Sequence, residues 1–136
     1  MHTTNYRDTF IEVAEDCPVG EGEVPAGRGG AKTVAVQQYE LIAANPYVLT
    51  SDEVVFEVFA ERAGIPPEER DGERERFFSK GQPCLRSSPL GKRHGWGTHH
   101  DEQGRVALVP LGSAEYERLK SDPAVAHTRA MRSKRA

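Results

Sequence analysis

The stretch GWGTHHDEQGRVALVPL, residues 95–111, restricts the fold more than any other part of the chain. Side chains alternate in character on both sides of Asp101-Glu102-Gln103-Gly104, and Gly104 suits the positive φ of a bulged turn, so the segment reads as a β-hairpin. Pairing Asp101 with Arg105 assigns its two faces. Trp96, Thr98, His100, Val106 and Leu108 lie on one; Gly97, His99, Asp101, Arg105, Ala107 and Val109 lie on the other. The adjacent His99 and His100 therefore point in opposite directions. Near the N-terminus, DTFIEVAED sets Phe10, Glu12 and Ala14 against Ile11, Val13 and Glu15, a second strand pattern that Pro18 stops.

Helices fill the middle. AKTVAVQQYELIAAN carries Ala35, Tyr39 and Ile42 at i, i+4 and i+7, and Asn45 and Pro46 end it. TSDEVVFEVFAERAG opens with Thr50 and Glu53 at capping-box spacing, turns Val55, Val58 and Phe59 inward and closes on Gly64. Pro66 and Pro67 start a third helix, PEERDGERERFFSKG, whose large apolar residues are Phe77 and Phe78 and whose charges form a solvated surface. Ser113 caps a last short helix, SAEYERLKSD. Residues 19–30, VGEGEVPAGRGG, read as an exposed Gly/Pro loop, and the pattern from Cys84 onward as strand-like. Residues 124–136 end in Arg129, Arg132, Lys134 and Arg135 without an acid and read as a flexible basic tail. With 136 residues the chain is expected to form a single domain, 1–136. The predicted class is α+β: a small antiparallel β-sheet including the C-terminal hairpin, packed against three to four α-helices.

Charge and cysteine usage exclude several functions. A net charge of −3 makes the chain as a whole repel nucleic acid and anionic lipid, so any such contact must be local. Cys17 and Cys84 are too few for a disulfide framework and have no finger spacing, which fits reduced thiols in the cytoplasm. No basic segment leads into an apolar run at the N-terminus, so a mature, soluble, intracellular protein with no membrane partner is expected.

The segments SSPLGKRHGWGTHHDEQGRVAL, TFIEVAEDCP, TSDEVVFEVFAER, FFSKGQPCLR and the terminal AMRSKRA resemble a family of small bacterial proteins known only as a domain of unknown function. The likeness runs nearly end to end. It implies a bacterial, single-domain, cytoplasmic protein and assigns no activity, cofactor or catalytic residue.

Four constellations are candidates for chemistry. GRGGAKT ends in Lys-Thr before a helix, but Ala31 stands where a phosphate loop needs glycine and no buried strand leads into it. His94 and His100 are about 20 Å apart along a straight strand and cannot share an ion. His99 and Asp101 share a face but need a third ligand from a distant segment such as Cys84 or Cys17, so no metal or cofactor is expected. Nucleophilic attack by Cys84, Ser87 or Ser88, with His99 or His100 as base and Asp101 orienting His99, would make a hydrolase-like enzyme, yet no GxSxG elbow surrounds them.

The fourth constellation is a basic stretch. Ser79 to His100 contains no Asp or Glu but holds Lys80, Arg86, Lys92, Arg93 and three histidines. Crowded cations favour a small anionic ligand, phosphorylated ligands included, which charge-assisted hydrogen bonds would hold. In this reading Arg86 grips the anion, Lys92 and Arg93 steer it, Ser87 and Ser88 donate hydroxyls, Trp96 stacks, and His99 and His100 line the site. Two alternatives compete. The cations pair internally with the nine acids between Asp52 and Glu75, or the protein is an interaction module whose basic tail meets nucleic acid or an acidic protein.

Overall fold

The structure, a computed structural model, describes residues 1–134. Four strands, β1 (Thr9–Glu12), β2 (Trp96–His100), β3 (Val106–Pro110) and β4 (Ala126–Arg129), form one sheet in the order β3-β2-β1-β4. The hairpin has the expected register, with His100 opposite Val106 and Trp96 opposite Pro110. The amide of Asp101 donates to the Arg105 carbonyl, and Gly104 takes φ 80° at the turn.

The fold is α+β, but the sheet is mixed rather than wholly antiparallel, because β4 runs parallel to β1. The supposed tail is thus an edge strand as far as Arg129. Its side chains are mostly exposed, so it is held by backbone pairing with β1 rather than by an apolar stripe.

Helices cover both faces of the sheet. On the first lie α1 (Val34–Ala44), α2 (Ser51–Ala63) and the short α4 (Pro89–Arg93). Ile42, Val54, Leu85 and Leu90 pack there against Ile11 and Val106. On the second, α5 (Ala114–Lys120) brings Tyr116 and Leu119 onto Phe10 and Val109. A satellite core of Phe56, Ala60 and Phe78 joins α2 to α3 (Arg70–Phe77).

The capping box of α2 is formed: Thr50 Oγ1 accepts from the Glu53 amide, and the Glu53 carboxylate accepts from the Thr50 amide. The face that α2 buries differs from expectation. Val54, Phe56, Val58 and Ala60 are inside, whereas Phe59 is 41% exposed, because α3 and the sheet approach from different sides and widen the buried arc.

The segment after Cys84 is helical, against its strand-like pattern. Leu85–Ser87 form a 3-10 turn, and Ser88 then caps α4 with its hydroxyl accepting from the Leu90 amide and Pro89 at the first helical position. This helix redirects the basic stretch before β2 begins.

Candidate functional site: a cationic cleft beside α1

The basic stretch does not converge on one place. Arg86 donates from Nε to the Arg129 carbonyl at 2.7 Å, and its own carbonyl accepts from the Met131 amide at 2.8 Å, so it anchors β4. Ser87 Oγ reaches Met131 Sδ at 3.1 Å, and Ser88 Oγ, buried, bonds Gln38 Oε1. Trp96 donates from Nε1 to the Glu23 carbonyl at 2.8 Å and packs on Tyr39 with ring centroids 5.3 Å apart. Its ring pins the Gly/Pro loop to the sheet. Gly95, at φ 77°, lets that loop pass so closely that a Cβ there would overlap the Glu21 carbonyl oxygen.

The two hairpin histidines part company as their alternation requires. His100 is fully buried, its Nε2 3.0 Å from Thr98 Oγ1, its ring edge-on to Tyr6, and its Nδ1 without a partner among the described residues. Burial, reinforced by the charge of His99, pushes its pKa down to about 4. His99, on the other face, bonds Tyr47 Oη through Nδ1 at 2.8 Å, and burial holds its pKa below the ordinary histidine value despite the nearby Asp101 carboxylate.

Asp101 does not orient His99 as expected. Its Oδ1 accepts from the Gln103 and Arg105 amides, because the tight turn leaves those donors unmatched and Asp101 stands at the position that caps them. Among the described residues no three His, Cys, Asp or Glu side chains stand close enough to hold a metal ion.

The nucleophile candidates are equally dispersed. Cys84 Sγ sits 3.2 Å from Tyr6 Oη, whose pKa burial and the thiol push up to about 12. Among the described residues, the hydrogen-bond partners of Cys84, Ser87 and Ser88 include no histidine.

What does come together is Lys92, Arg93 and His94 at the end of α4 with Arg28 of the Gly/Pro loop and Thr33, the N-cap of α1. They line a cleft of about 480 Å³ with no carboxylate in its walls. Among the described residues no ion pair engages Arg28, Lys92 or Arg93. Several acids of the middle segment are engaged elsewhere: Glu57 and Glu61 with Arg70, Glu73 with Arg76, and Asp52 with the N-terminal Thr3 and Thr4.

At the cleft wall Thr33 Oγ1 accepts from the Val36 amide, while the amides of Val34 and Ala35 belong to the first turn that a helix leaves unmatched. His94 is held below its ordinary pKa by partial burial and by Arg93, against the pull of Glu23, whose amide donates to the His94 carbonyl. Sequence reasoning missed Arg28 and Thr33 as site residues. The signal was present in GRGGAKT, a glycine loop running into a helix N-terminus, which fails as a phosphate loop yet still forms one side of the cleft.

The tail cations meet a different fate. Arg129 and Arg132 approach the two oxygens of the Glu15 carboxylate at 3.7 and 3.5 Å, and Asp16 accepts from the Ser133 and Lys134 amides. Those amides hold the Asp16 carboxyl below its usual range. Arg135 lies outside the described residues.

These features define an α+β protein with a four-stranded mixed sheet and a cleft walled by cations. The whole chain, residues 1–136, matches the model of a family described as a family of unknown function, DUF6157, and it belongs to that family. No curated protein and no solved structure matches it. No helix among the described residues is long and apolar enough to cross a membrane.

Proposed function

We propose that the protein binds a small anion, a phosphate or carboxylate group, in the cleft lined by Arg28, Lys92, Arg93 and His94. One observation carries this reading: three permanent cations and a histidine line one cleft beside a helix N-terminus, and no acid lines it with them. An anion there gains charge-assisted hydrogen bonds and relieves the mutual repulsion of the cations. Of the residues singled out in the basic stretch, Lys92 and Arg93 are the ligand contacts; Arg86, Ser87, Ser88, Trp96 and His100 support the surrounding structure. A bacterial cytoplasm is the matching location, since both cysteines are free thiols. Nucleic acid is the weaker partner, because the described tail cations already face Glu15 and Asp16.

Thermal denaturation with inorganic phosphate or acetate tests the proposal. A ligand that binds only the folded chain raises Tm with concentration. The shift should vanish in the Lys92→Ala/Arg93→Ala variant. No shift with either anion, or an equal shift in that variant, overturns it.

A further inference from the structure

Beside the cationic cleft lies a second one, of about 530 Å³, between α1, α2, the end of α3 and the turn before α4. The two share Val34 and Pro89 in their linings, so they adjoin along these residues. Their chemistry is opposite. The second is walled by Val55, Val58, Phe59 and Phe77, and its apolar surface includes Phe59 and Val34, 41% and 36% exposed.

Most polar side chains along this groove already have partners within the protein. Ser88 bonds Gln38, Ser87 reaches Met131, Cys84 meets Tyr6, and Arg62 donates to the Lys32 carbonyl and to Gln37. A guest therefore finds mainly apolar surface, and the cleft has the size of an ordinary small-molecule site.

We infer that the ligand is an amphiphilic anion: a phosphate or carboxylate head held by Arg28, Lys92 and Arg93, and an alkyl or aryl chain passing over Val34 and Pro89 onto Phe59 and Phe77. The inference rests on the anion-binding reading and adds the class of ligand to it. Charge complementarity fixes the polarity of the guest, since Arg28, Lys92 and Arg93 line one cleft, whereas the other has a single cation, Arg62, which already donates to the Lys32 carbonyl and to Gln37.

Calorimetric titration of the full chain with octyl phosphate and octanoate, below their micelle concentrations, tests this against inorganic phosphate, acetate and the uncharged octyl glucoside. At least one octyl anion should bind roughly tenfold or more tighter than its parent anion, through burial of the chain. Octyl glucoside should bind weakly. Phe59→Ser, at a position 41% exposed, should return the octyl anion to the affinity of its parent and leave the parent unchanged. Arg93→Ala should weaken both.

If phosphate or acetate binds but neither octyl compound binds more tightly, the inference falls and anion binding stands. If neither the parent anions nor the octyl anions bind, both fall. Octyl glucoside binding as well as the octyl anions removes the role of the head and overturns the inference. Binding to phosphatidylglycerol vesicles without binding of the monomeric octyl anions assigns the surface to a membrane and also overturns it.

Discussion

Two regions of this molecule carry clustered positive charge, and they resolve it in opposite ways. Arg129 and Arg132 lie at and beyond the end of an edge strand, where Glu15 of the loop after β1 meets them and Asp16 accepts from the Ser133 and Lys134 amides. Arg28, Lys92 and Arg93 face a cleft with no acid in its walls. The same short helix separates the two: α4 presents Lys92 and Arg93 to the cleft, while Gly91 lies against Ala130 at the end of β4. Local sequence is equally basic in both, so whether a charge is matched depends on which loop the fold lays beside it. An unmatched cluster leaves a positive potential at the surface, and a matched one is a weak clasp.

Acid sets the range over which the two regions can be compared and produces the largest effect. His100 titrates near 6.5 in the unfolded chain and at about 4 in the fold, so the unfolded state binds the proton first as pH falls. The stability associated with its neutral form is complete above pH 6.5 and lost as pH falls through about 4, a loss of about 3 kcal/mol. Urea unfolding across that range should show this slope, and His100→Leu should flatten it. Above pH 6.5 the cleft and the tail can be probed without interference from His100.

A side chain at position 91 acts next, and first on the tail. A Cβ there would stand 2.9 Å from that of Ala130, so Gly91→Val should lift the strand end and cost about 1–3 kcal/mol, with faster proteolysis near Arg129 and Arg132. Unchanged cleavage would mean that the clasp does not depend on α4. In the cleft, Arg93→Glu should lower phosphate affinity by roughly tenfold or more with little change in Tm, because Arg93 is exposed and has no ion pair among the described residues. The smallest effect is expected at Glu15. Glu15→Gln removes two exposed ion pairs and should change stability by less than about 1 kcal/mol, yet it should raise salt-sensitive oligonucleotide binding by freeing Arg129 and Arg132.

Much of the fold was readable from residue pattern alone. The hairpin register, the Thr50–Glu53 capping box and the Ser113 cap depend on neighbours in sequence, and each appears as expected. Strand β4 was not readable, because AHTR has no apolar alternation and its place is decided by backbone pairing with β1, far away in the chain. The helix at Pro89 was marked by the Ser88-Pro89 cap pair but hidden inside a basic run that was read as extended.

That helix explains why the candidate site was only partly foreseen. A strand would have spread Arg86 to Arg93 along one edge; the turn at Leu85–Ser87 and the helix after it point Arg86 toward β4 and Lys92 and Arg93 toward α1. Arg28 and Thr33 joined the site from a segment that matched no complete motif. Opposite orientations of His99 and His100 were predictable from alternation, but the Tyr6 and Tyr47 rings that receive them were not.

The strand order has a consequence for synthesis on the ribosome. β1 leaves the exit tunnel ahead of all the helices, yet both of its hydrogen-bonding neighbours, β2 and β4, lie far downstream of it. The growing polypeptide must carry Phe10 and Ile11 unburied by their sheet partners while α1 to α3 emerge, and the sheet closes only after Arg129 is free. Nascent chains stalled before β2 should therefore bind chaperones that capture exposed apolar segments, and full-length chains should release them.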